Sequence, residues 1–326
     1  MEVIEITHPI QPEQYIQDDI AIALGFFDGL HRGHQALMNK LDEVAKARHL
    51  KKAVMTFDPH PSVVLNPKQK RTTYLTPLDD KLNLLRQYDI DYCLVVNFSS
   101  RFAEVSSEAF VKDYLLKNRA QVIVAGFDFT FGKYGKGNMA MLQEYRDLFE
   151  CITVGKQDID NEKISTTAIR EALKKGDLLK ANEQLGYRYQ IKGTVVQGEK
   201  RGRTIGFPTA NIQPSDDYLL PTKGVYAVSM KIGSSDKIYR GVCNVGVKPT
   251  FHDDLPQVVI EVNIFDFDEN IYGERVILYW HHYLRPELKF DGIDPLVAQM
   301  NQDKARAKYL LSVDFGDDVP YNILGL

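Results

Sequence analysis

Short apolar runs alternate with helical patterns through the first half of the chain. The runs predict buried strands at 20–27, 53–57, 93–98 and 122–127. After the first run, Leu37, Leu41 and Val44 recur at helical spacing, and charged residues occupy the opposite face. The repeated strand, helix, strand order predicts a parallel sheet with helices on both faces. Because ligands of such sheets bind beyond the carboxyl ends of the strands, we expect chemistry just after each run.

The pattern changes near Gly186. Beyond it, apolar and polar positions alternate, which predicts antiparallel strands at 189–196, 224–232, 237–245, 258–267 and 275–284, followed by a last helix from Asp294. A length of 326 residues also argues for two compact domains. We therefore predict an α/β domain at 1–186 and an antiparallel β domain, a small barrel with a terminal helix, at 187–326.

Composition and charge exclude several classes of protein. The chain is 44% hydrophobic and 26% charged, which is typical of folded globular proteins. Its net charge of −4 provides no positive field for a polyanion, so we expect no nucleic-acid partner. The cysteines are Cys93, Cys151 and Cys243, an odd number without a CxxC pair, which favours a reducing cytoplasm. No apolar run approaches the roughly 18 residues of a membrane span, so we expect no membrane partner.

A glycine-rich turn with two histidines follows the first predicted strand. In GFFDGLHRGH, Gly25, Gly29 and Gly33 let the backbone approach a ligand closely, while His31 and His34 lie three residues apart at a helix start. Free amides at a helix N-terminus attract an anion, and imidazoles can donate hydrogen bonds to charge developing at phosphorus. Ordinary cap or surface histidines are the alternative, but the glycine spacing and the strand context favour a phosphate site. Neither GxxxxGK[ST] nor GxGxxG occurs.

Three companion segments fall where the sheet predicts ligands. FDPHP follows the second strand, and GFDFTFG follows the fourth and places Asp128 among aromatic rings. STTAIRE begins a helix with three hydroxyl residues and carries Arg170 one turn later. One hydroxyl is explained as a helix cap, whereas three hydroxyls and an arginine together make a good triphosphate site. Aromatic residues in and near these segments favour a planar acceptor, although some of them fill the core: Phe57, Phe98, Phe102, Phe127, Phe129 and Phe131.

The segments GFFDGLHRGH, TFDPHP, GFDFTFG and STTAIREALKKGD, in this order, resemble the adenylyltransferase module of the prokaryotic bifunctional riboflavin kinase/FAD synthetases. The resemblance implies a Rossmann-like nucleotidyltransferase domain in which His31 and His34 act on the α-phosphate and Asp128 contacts the adenosine or the metal. Phe26 departs from relatives, which often have Asn there. We assign ATP and diphosphate contacts to Gly25, Phe26, Asp28, Gly29, Ser165, Thr166, Thr167 and Arg170. We assign flavin contacts in this domain to Phe57, His60 and Phe127.

A second candidate site lies in the β domain. GEKRGRTIGFPTANI is too glycine-rich and basic for a strand interior, and it predicts a flexible loop that leads to a short edge segment. Thr209 and Asn211 alternate, so their oxygens share a face and could complete the shell of a phosphate-bound Mg²⁺. A turn with local side-chain hydrogen bonds is the alternative. Glu261 lies with Asn263 on the face opposite an apolar row, either as an exposed residue or as a positioned base.

GxxRGRxIGFPTAN, GVYAV, NVGVKPTF, the strand with Glu261, YGE and YLRPELKFDGIDPLVAQMNQD resemble riboflavin kinase. The resemblance implies a six-stranded antiparallel barrel that holds MgATP, with Thr209 and Asn211 at the metal. Glu261 matches the catalytic base. Arg285 matches a residue on the flavin side, although a surface arginine over Trp280 or Tyr283 is an alternative. The implied ATP contacts are Gly198, Arg201, Arg203, Gly206, Pro208, Thr209 and Asn211.

The combined resemblance implies an enzyme that makes FMN and ADP from riboflavin and ATP, and then FAD and diphosphate from FMN and ATP, with Mg²⁺ at both sites. Two other hypotheses stay open. The first is a nucleotidyltransferase for another acceptor, such as a phosphopantetheine or a choline-type phosphate, with a barrel that only binds. The second is a flavin-binding regulatory or storage protein that has lost catalysis. Self-association is also left open.

Overall fold

The chain divides into two compact units, Met1–Thr166 and Thr167–Leu326. The computed structural model describes residues 1–66, 68, 72–198, 202, 205–215, 217–248 and 257–315. Within these ranges, no helix is both long enough and apolar enough to cross a membrane. The domain boundary between 186 and 187 stays a prediction.

The first unit is built on a parallel sheet. Its six strands lie in the order β1, β4, β3, β2, β5, β8, and every neighbouring pair is parallel. The strands of this unit are β1 (Glu2–Ile6), β2 (Ile20–Leu24), β3 (Lys51–Asp58), β4 (Tyr92–Asn97), β5 (Ala120–Gly126), β6 (Thr130–Phe131), β7 (Gly137–Asn138), β8 (Glu150–Val154), β9 (Asp158–Ile159) and β10 (Glu162–Lys163). The last two pair with each other, as do β6 and β7. The predicted Rossmann-like parallel sheet is confirmed.

Helices connect the strands of the sheet. The longest, α1, presents buried residues such as Leu37, Leu41 and Val44, as their spacing predicted. The helices of this unit are α1 (Arg32–Arg48), α2 (Pro61–Leu65), α3 (Leu78–Arg86), α4 (Ser100–Ala103), α5 (Ser107–Phe110) and α6 (Met139–Gln143). A π-helical turn at Val111–Leu116 continues α5. Strand β2 ends at Leu24, before the predicted 27, because Phe27 adopts a left-handed backbone with φ of 57° and a turn has begun.

Strand β2 is the switch point of the sheet. It pairs with β3 on one side and with β5 on the other, so the chain leaves its carboxyl end into the crevice where ligands of such sheets bind. The histidine turn follows β2, and Asp128 follows β5. The topology therefore brings these two segments to one edge of the sheet.

The second unit is a closed antiparallel barrel. Its strands lie in the order β11, β12, β15, β14, β13, β16, and β16 pairs with β11. They are β11 (Gln190–Val196), β12 (Ala210–Pro214), β13 (Gly224–Ile232), β14 (Ile238–Lys248), β15 (Gln257–Ile264) and β16 (Arg275–Arg285). The helices are α7 (Thr166–Lys175), which begins at the boundary of the units, α8 (Leu178–Leu185) and α9 (Ile293–Phe315). The predicted six-stranded barrel is confirmed, but β12 is not an edge segment, because closure pairs it with β11 and β15.

The terminal helix covers one face of the barrel. Ala307 and Leu311 are fully buried, and they pack with Val225, Ala227 and Leu284. The helix begins at Ile293, one residue before the predicted start. Its packing positions the preceding segment next to the site described below.

Candidate functional site

The turn between β2 and α1 is held in a strained conformation. Phe27, Gly29 and Leu30 all have positive φ, at 57°, 79° and 34°. A side chain at Gly25 would place its Cβ 2.8 Å from the Phe27 ring, so glycine is required there. The turn therefore depends on contacts that compensate its strain.

The buried carboxylate of Asp28 supplies part of this compensation. Its Oδ1 accepts hydrogen bonds from the amides of Leu75 and Thr76 at 2.8 and 3.0 Å. In return, the Gly29 amide donates to the Thr76 hydroxyl at 2.8 Å. Asp28 and Gly29 thus hold the turn in place, and their ATP contacts stay predictions.

The two histidines stack on each other at the start of α1. Their ring centroids are 3.7 Å apart and their planes are inclined by 15°. His31 is buried, and its Nδ1 accepts a hydrogen bond from the His34 amide at 3.3 Å, which caps the helix. An accepting Nδ1 leaves the ring proton of neutral His31 on Nε2, where it is available as a donor.

Both histidines are neutral at pH 7. Burial lowers the pKa of His31 to about 4. Burial, followed by the adjacent His31 and nearby Lys81, holds the pKa of His34 well below its ordinary value. The Nδ1 atom of His34 is buried and has no hydrogen-bond partner among the described residues. An orphaned polar atom of this kind is costly unless a ligand satisfies it.

A cavity of about 380 Å³ opens beside His34. Predicted site residues Gly25, Phe26, Phe57 and Asp128 line it. Aliphatic residues and glycines also line it, together with six further phenylalanines: Phe27, Phe98, Phe102, Phe110, Phe129 and Phe131. The phenylalanine rings of this lining can stack on a planar ring system.

Two predicted flavin contacts lie outside this lining. Phe127 is 47% exposed, and the Lys163 ammonium lies 4.7 Å from its ring centroid. Lys163 also pairs with Asp128 at 2.8 Å. His60 packs edge-to-face on Phe26, with ring centroids 4.5 Å apart. The flavin roles of Phe127 and His60 stay predictions.

The hydroxyl segment spans the boundary of the two units. Thr166 donates a hydrogen bond from Oγ1 to the carbonyl of Asp28 at 3.4 Å, which ties it to the histidine turn. Ser165 belongs to the same unit, whereas Thr167 and Arg170 belong to the second. The diphosphate contacts assigned to these four residues stay predictions.

In the barrel, one row of cross-strand neighbours carries the candidate chemistry. Glu261 on β15 pairs in register with Asn211 on β12 and with Asn244 on β14. The row continues through Val225 on β13 to Arg285 on β16. All five residues line one cavity of about 400 Å³, and Glu261 is half-buried within it.

The PTAN segment forms one wall of this barrel cavity. Thr209 and Asn211 both line it, so they share a face as their alternation predicted. Asn263 donates a hydrogen bond from Nδ2 to the Pro208 carbonyl at 2.8 Å and so fixes the segment. A Cβ at Gly198 would collide with the Asn211 amide, which shows how closely the loop backbone passes over that side chain.

The loop itself is described only in part. Arg201 and Arg203 lie outside the described residues, and their ATP contacts stay predictions. Gly206 has φ of 79°, a left-handed conformation that favours glycine.

The opposite wall comes from α9 and the segment before it. Leu288, Phe290, Leu296 and Met300 give it an apolar surface. Arg285 is fastened to this helix, because its Nε lies 3.0 Å from each oxygen of Asp303 and its Nη2 lies 2.7 Å from Oδ2. Its guanidinium lies 5.9 Å from the centroid of Phe290. Glu287, Asp303 and Lys304 line the same part of the cavity, so its lining there combines apolar and charged groups. A lining of this kind suits a ligand with an aromatic body and a polar tail.

The fold and these two cavities define a class of protein: a two-unit enzyme with a nucleotidyltransferase-type sheet and an antiparallel kinase-type barrel. The family model for FAD synthetase matches residues 13–168, and the model for riboflavin kinase matches residues 185–311. A bifunctional riboflavin kinase/FMN adenylyltransferase of Listeria monocytogenes is 46% identical, over 93% of this chain and 96% of its own. The Bacillus subtilis relative of the same name is 44% identical, over 94% and 97%.

A solved structure is also similar over nearly the whole chain. A crystal structure described as a macrolide-efflux protein from Streptococcus pneumoniae has a TM-score of 0.86 and 35% identity, covering 94% of this chain and 99% of its own. The family models and the curated relatives agree on one assignment. The chain belongs to the bifunctional riboflavin kinase/FMN adenylyltransferase family. It is a transferase with both activities.

Proposed function

We propose that the two reactions occur in the two cavities described above. Riboflavin and ATP react in the barrel cavity to give FMN and ADP, and FMN and ATP react beside the histidine pair to give FAD and diphosphate. The observation that carries the proposal is the row in which Glu261 lies between Asn211 and Asn244. It places the Glu261 carboxylate beside two neutral amides, in a cavity that apolar residues of α9 also line.

In the barrel, Glu261 acts as the general base. The 5′-hydroxyl oxygen of riboflavin attacks the γ-phosphorus of ATP, the bond from that phosphorus to the β-bridging oxygen breaks, and the hydroxyl proton passes to the Glu261 carboxylate. A base of this kind contributes about 10²- to 10⁴-fold to the rate. The aromatic ring of riboflavin lies against the apolar wall of α9, where Leu296 and Met300 exclude water from it.

The residues of the PTAN segment fit Mg²⁺. Thr209 and Asn211 offer a hydroxyl and a carbonyl oxygen on one wall, and hard oxygen donors are what this ion prefers. No cluster of three or more His, Cys, Asp or Glu able to hold a metal occurs in the described ranges. Two neutral oxygen donors suit an ion that is held mainly by nucleotide phosphates. When bound, Mg²⁺ offsets phosphate charge, and Thr209 and Asn211 would hold it.

Beside the sheet, the reaction requires no covalent intermediate. A phosphate oxygen of FMN attacks the α-phosphorus of ATP, and the bond to the bridging oxygen of diphosphate breaks. Neutral His31 and His34 donate hydrogen bonds to the oxygens on which charge develops. Ser165 and Thr166, which belong to the same unit as the histidines, bind the diphosphate that leaves. The isoalloxazine ring of FMN occupies the aromatic cavity.

The proposal places the enzyme in the cytoplasm. Cys93, Cys151 and Cys243 are free thiols, which a reducing compartment preserves.

Two single variants test the assignment of the cavities. The full chain is incubated with riboflavin, MgATP and inorganic pyrophosphatase, and the flavins are followed by chromatography. We expect the natural protein to form FMN and then FAD, His31→Ala to stop at FMN, and Glu261→Gln to form FAD only when FMN is supplied. Loss of FMN formation in His31→Ala, or unchanged FMN formation in Glu261→Gln, would contradict the proposal.

A further inference from the structure

A buried lysine lies behind the histidine turn. Lys81 on α3 is only 2% exposed, although lysine is almost never fully buried without a partner. Nothing in its segment, TPLDDKLNLLR, distinguishes it from a charged residue on the solvent face of an amphipathic helix. Its position therefore calls for an explanation in terms of what the ammonium group contacts.

The ammonium group holds the backbone of the turn through a relay. Lys81 donates a hydrogen bond from Nζ to Thr56 Oγ1 at 3.2 Å. Thr56, fully buried on β3, donates in turn to the Phe26 carbonyl at 2.9 Å. Lys81 Nζ also lies 4.1 Å from the centroid of the Phe26 ring, within the range of a cation–π interaction. Phe26 is thus held at both its carbonyl and its ring.

Phe26 immediately precedes the strained part of the turn. Phe27, with its positive φ, packs edge-to-face on His34 with ring centroids 5.2 Å apart. A displacement of Phe26 would therefore be transmitted to the His34 ring through its neighbour. A small misplacement of a reacting group can slow a reaction strongly. Loss of Lys81 should therefore slow the reaction at His34, although the two residues are linked only through Phe26 and Phe27.

The charge of Lys81 also reaches the histidine. Lys81 is one of the groups that lower the pKa of His34. The groups that face Lys81 are Asp28 on the turn, Asp58 at the end of β3, Cys93 on β4 and His34 on α1. The two carboxylates favour the ammonium form, but burial outweighs them and lowers the pKa of Lys81 to about 8.

We propose that Lys81 is a positioning residue for adenylyl transfer: through Thr56 and Phe26, its ammonium group holds the histidine turn and so places His34 against the α-phosphate. The proposal rests on the assignment of the histidine pair as the FAD-forming site. Lys81 itself touches neither nucleotide nor flavin in this account. It acts through its contacts with Thr56 and Phe26.

The test compares Lys81→Met, Lys81→Arg and a control. Lys52→Met removes another largely buried lysine, which pairs with Asp42 at 2.9 Å and lies at the amino end of β3, away from the histidine turn. FAD formation from FMN and MgATP is measured from about pH 6.5 to 9.5. Circular dichroism and denaturant unfolding of each preparation report whether the first unit is folded, and the kinase activity is the control for the second unit.

We expect Lys81→Met to lower kcat for FAD formation roughly 10- to 100-fold, with KM for FMN and kinase activity within about twofold of the natural protein. Lys52→Met should leave both activities within about twofold. The natural enzyme should lose FAD formation as the pH rises through about 8, where Lys81 loses its charge. Lys81→Arg should keep its activity across that range, since arginine does not titrate there.

The outcomes separate this proposal from the site assignment. If His34→Ala abolishes FAD formation while Lys81→Met keeps the kcat and pH profile of the natural enzyme, Lys81 has no positioning role. If His34→Ala is fully active, the site assignment itself fails. If Lys81→Met does not fold, the pH profiles of the natural protein and of Lys81→Arg are compared instead. The same loss of FAD formation above about pH 8 in both would overturn the proposal.

Discussion

Asn211 and Glu261 face each other directly across β12 and β15 and line the same cavity. The pairing places a metal-type oxygen donor next to the carboxylate that we assign as the base. Attack on the γ-phosphorus requires the nucleophile and the nucleotide to be held next to each other, as neighbouring Glu261 and Asn211 would hold them.

Glu261→Gln should therefore reduce riboflavin phosphorylation by about 10²- to 10⁴-fold, because the amide cannot accept the hydroxyl proton as a base. Adenylylation of supplied FMN should be unchanged. Steady-state assays of each reaction measure both effects. Glu269→Gln, at an exposed position between β15 and β16, is the matched control and should leave both rates unchanged. Kinase activity close to that of the natural chain in Glu261→Gln would rule out the carboxylate as the base.

Gly25→Ala should selectively impair FAD formation. Its Cβ would lie 2.8 Å from the Phe27 ring, so Phe27 and the histidine turn must shift. We expect a loss of roughly 10- to 100-fold in adenylyl transfer, with the kinase reaction intact. Gly155→Ala is the control, because no atom lies within 4 Å of the Cβ that it adds. Equal activities of the two variants would show that the turn tolerates displacement.

Asp303→Asn should weaken the attachment of α9 to the barrel. The carboxylate makes a bidentate, largely buried pair with Arg285, and its replacement should cost about 2 kcal/mol of unfolding free energy. The KM for riboflavin should rise as the apolar wall loosens. Lys308, on the same helix, pairs with the exposed Asp266. Asp266→Asn removes that exposed ion pair and should change the stability and the KM for riboflavin little. Denaturant unfolding and kinase kinetics check both variants. Equal unfolding free energies and equal KM values for riboflavin in the two variants would contradict this role of Asp303.

Buried His31 should make the first unit sensitive to acid. Its pKa is about 4 in the folded chain and about 6.5 in an unfolded one. Between these values the unfolded state binds more protons, so stability falls as the pH is lowered from about 6.5 to about 4. The contribution is on the order of 3 kcal/mol over that range. His31→Gln should flatten this part of the stability curve in denaturant titrations, and a curve as steep as that of the natural chain would refute the assignment.

Local patterns predicted much of the architecture. The apolar runs of β2 to β5 and the alternation in the barrel strands are visible in the sequence, because burial of whole strands or of one face dictates them. The histidine turn was also predictable, since its glycines and its helix start are adjacent in the chain. The place of β12 was not, because barrel closure depends on pairing with two distant strands.

Features that depend on tertiary packing escaped prediction. The row from Asn211 through Glu261 to Asn244 exists only through the register of three strands. The pair of Arg285 with Asp303 requires α9 to fold back on the barrel. The residues around Lys81 in the sequence are those of an exposed helix face. Its burial follows from packing against the histidine turn, which the sequence pattern does not show.

If the two reactions use separate sites, mixing two variants that each lack one reaction should restore FAD formation. Glu261→Gln and His31→Ala chains are each given riboflavin and MgATP, alone and together, and FAD is measured. Alone, neither should form appreciable FAD. Mixed, they should form it, because FMN made by one chain diffuses to the other. Failure of the mixture, with each variant still active in its remaining reaction when assayed separately, would contradict independent sites.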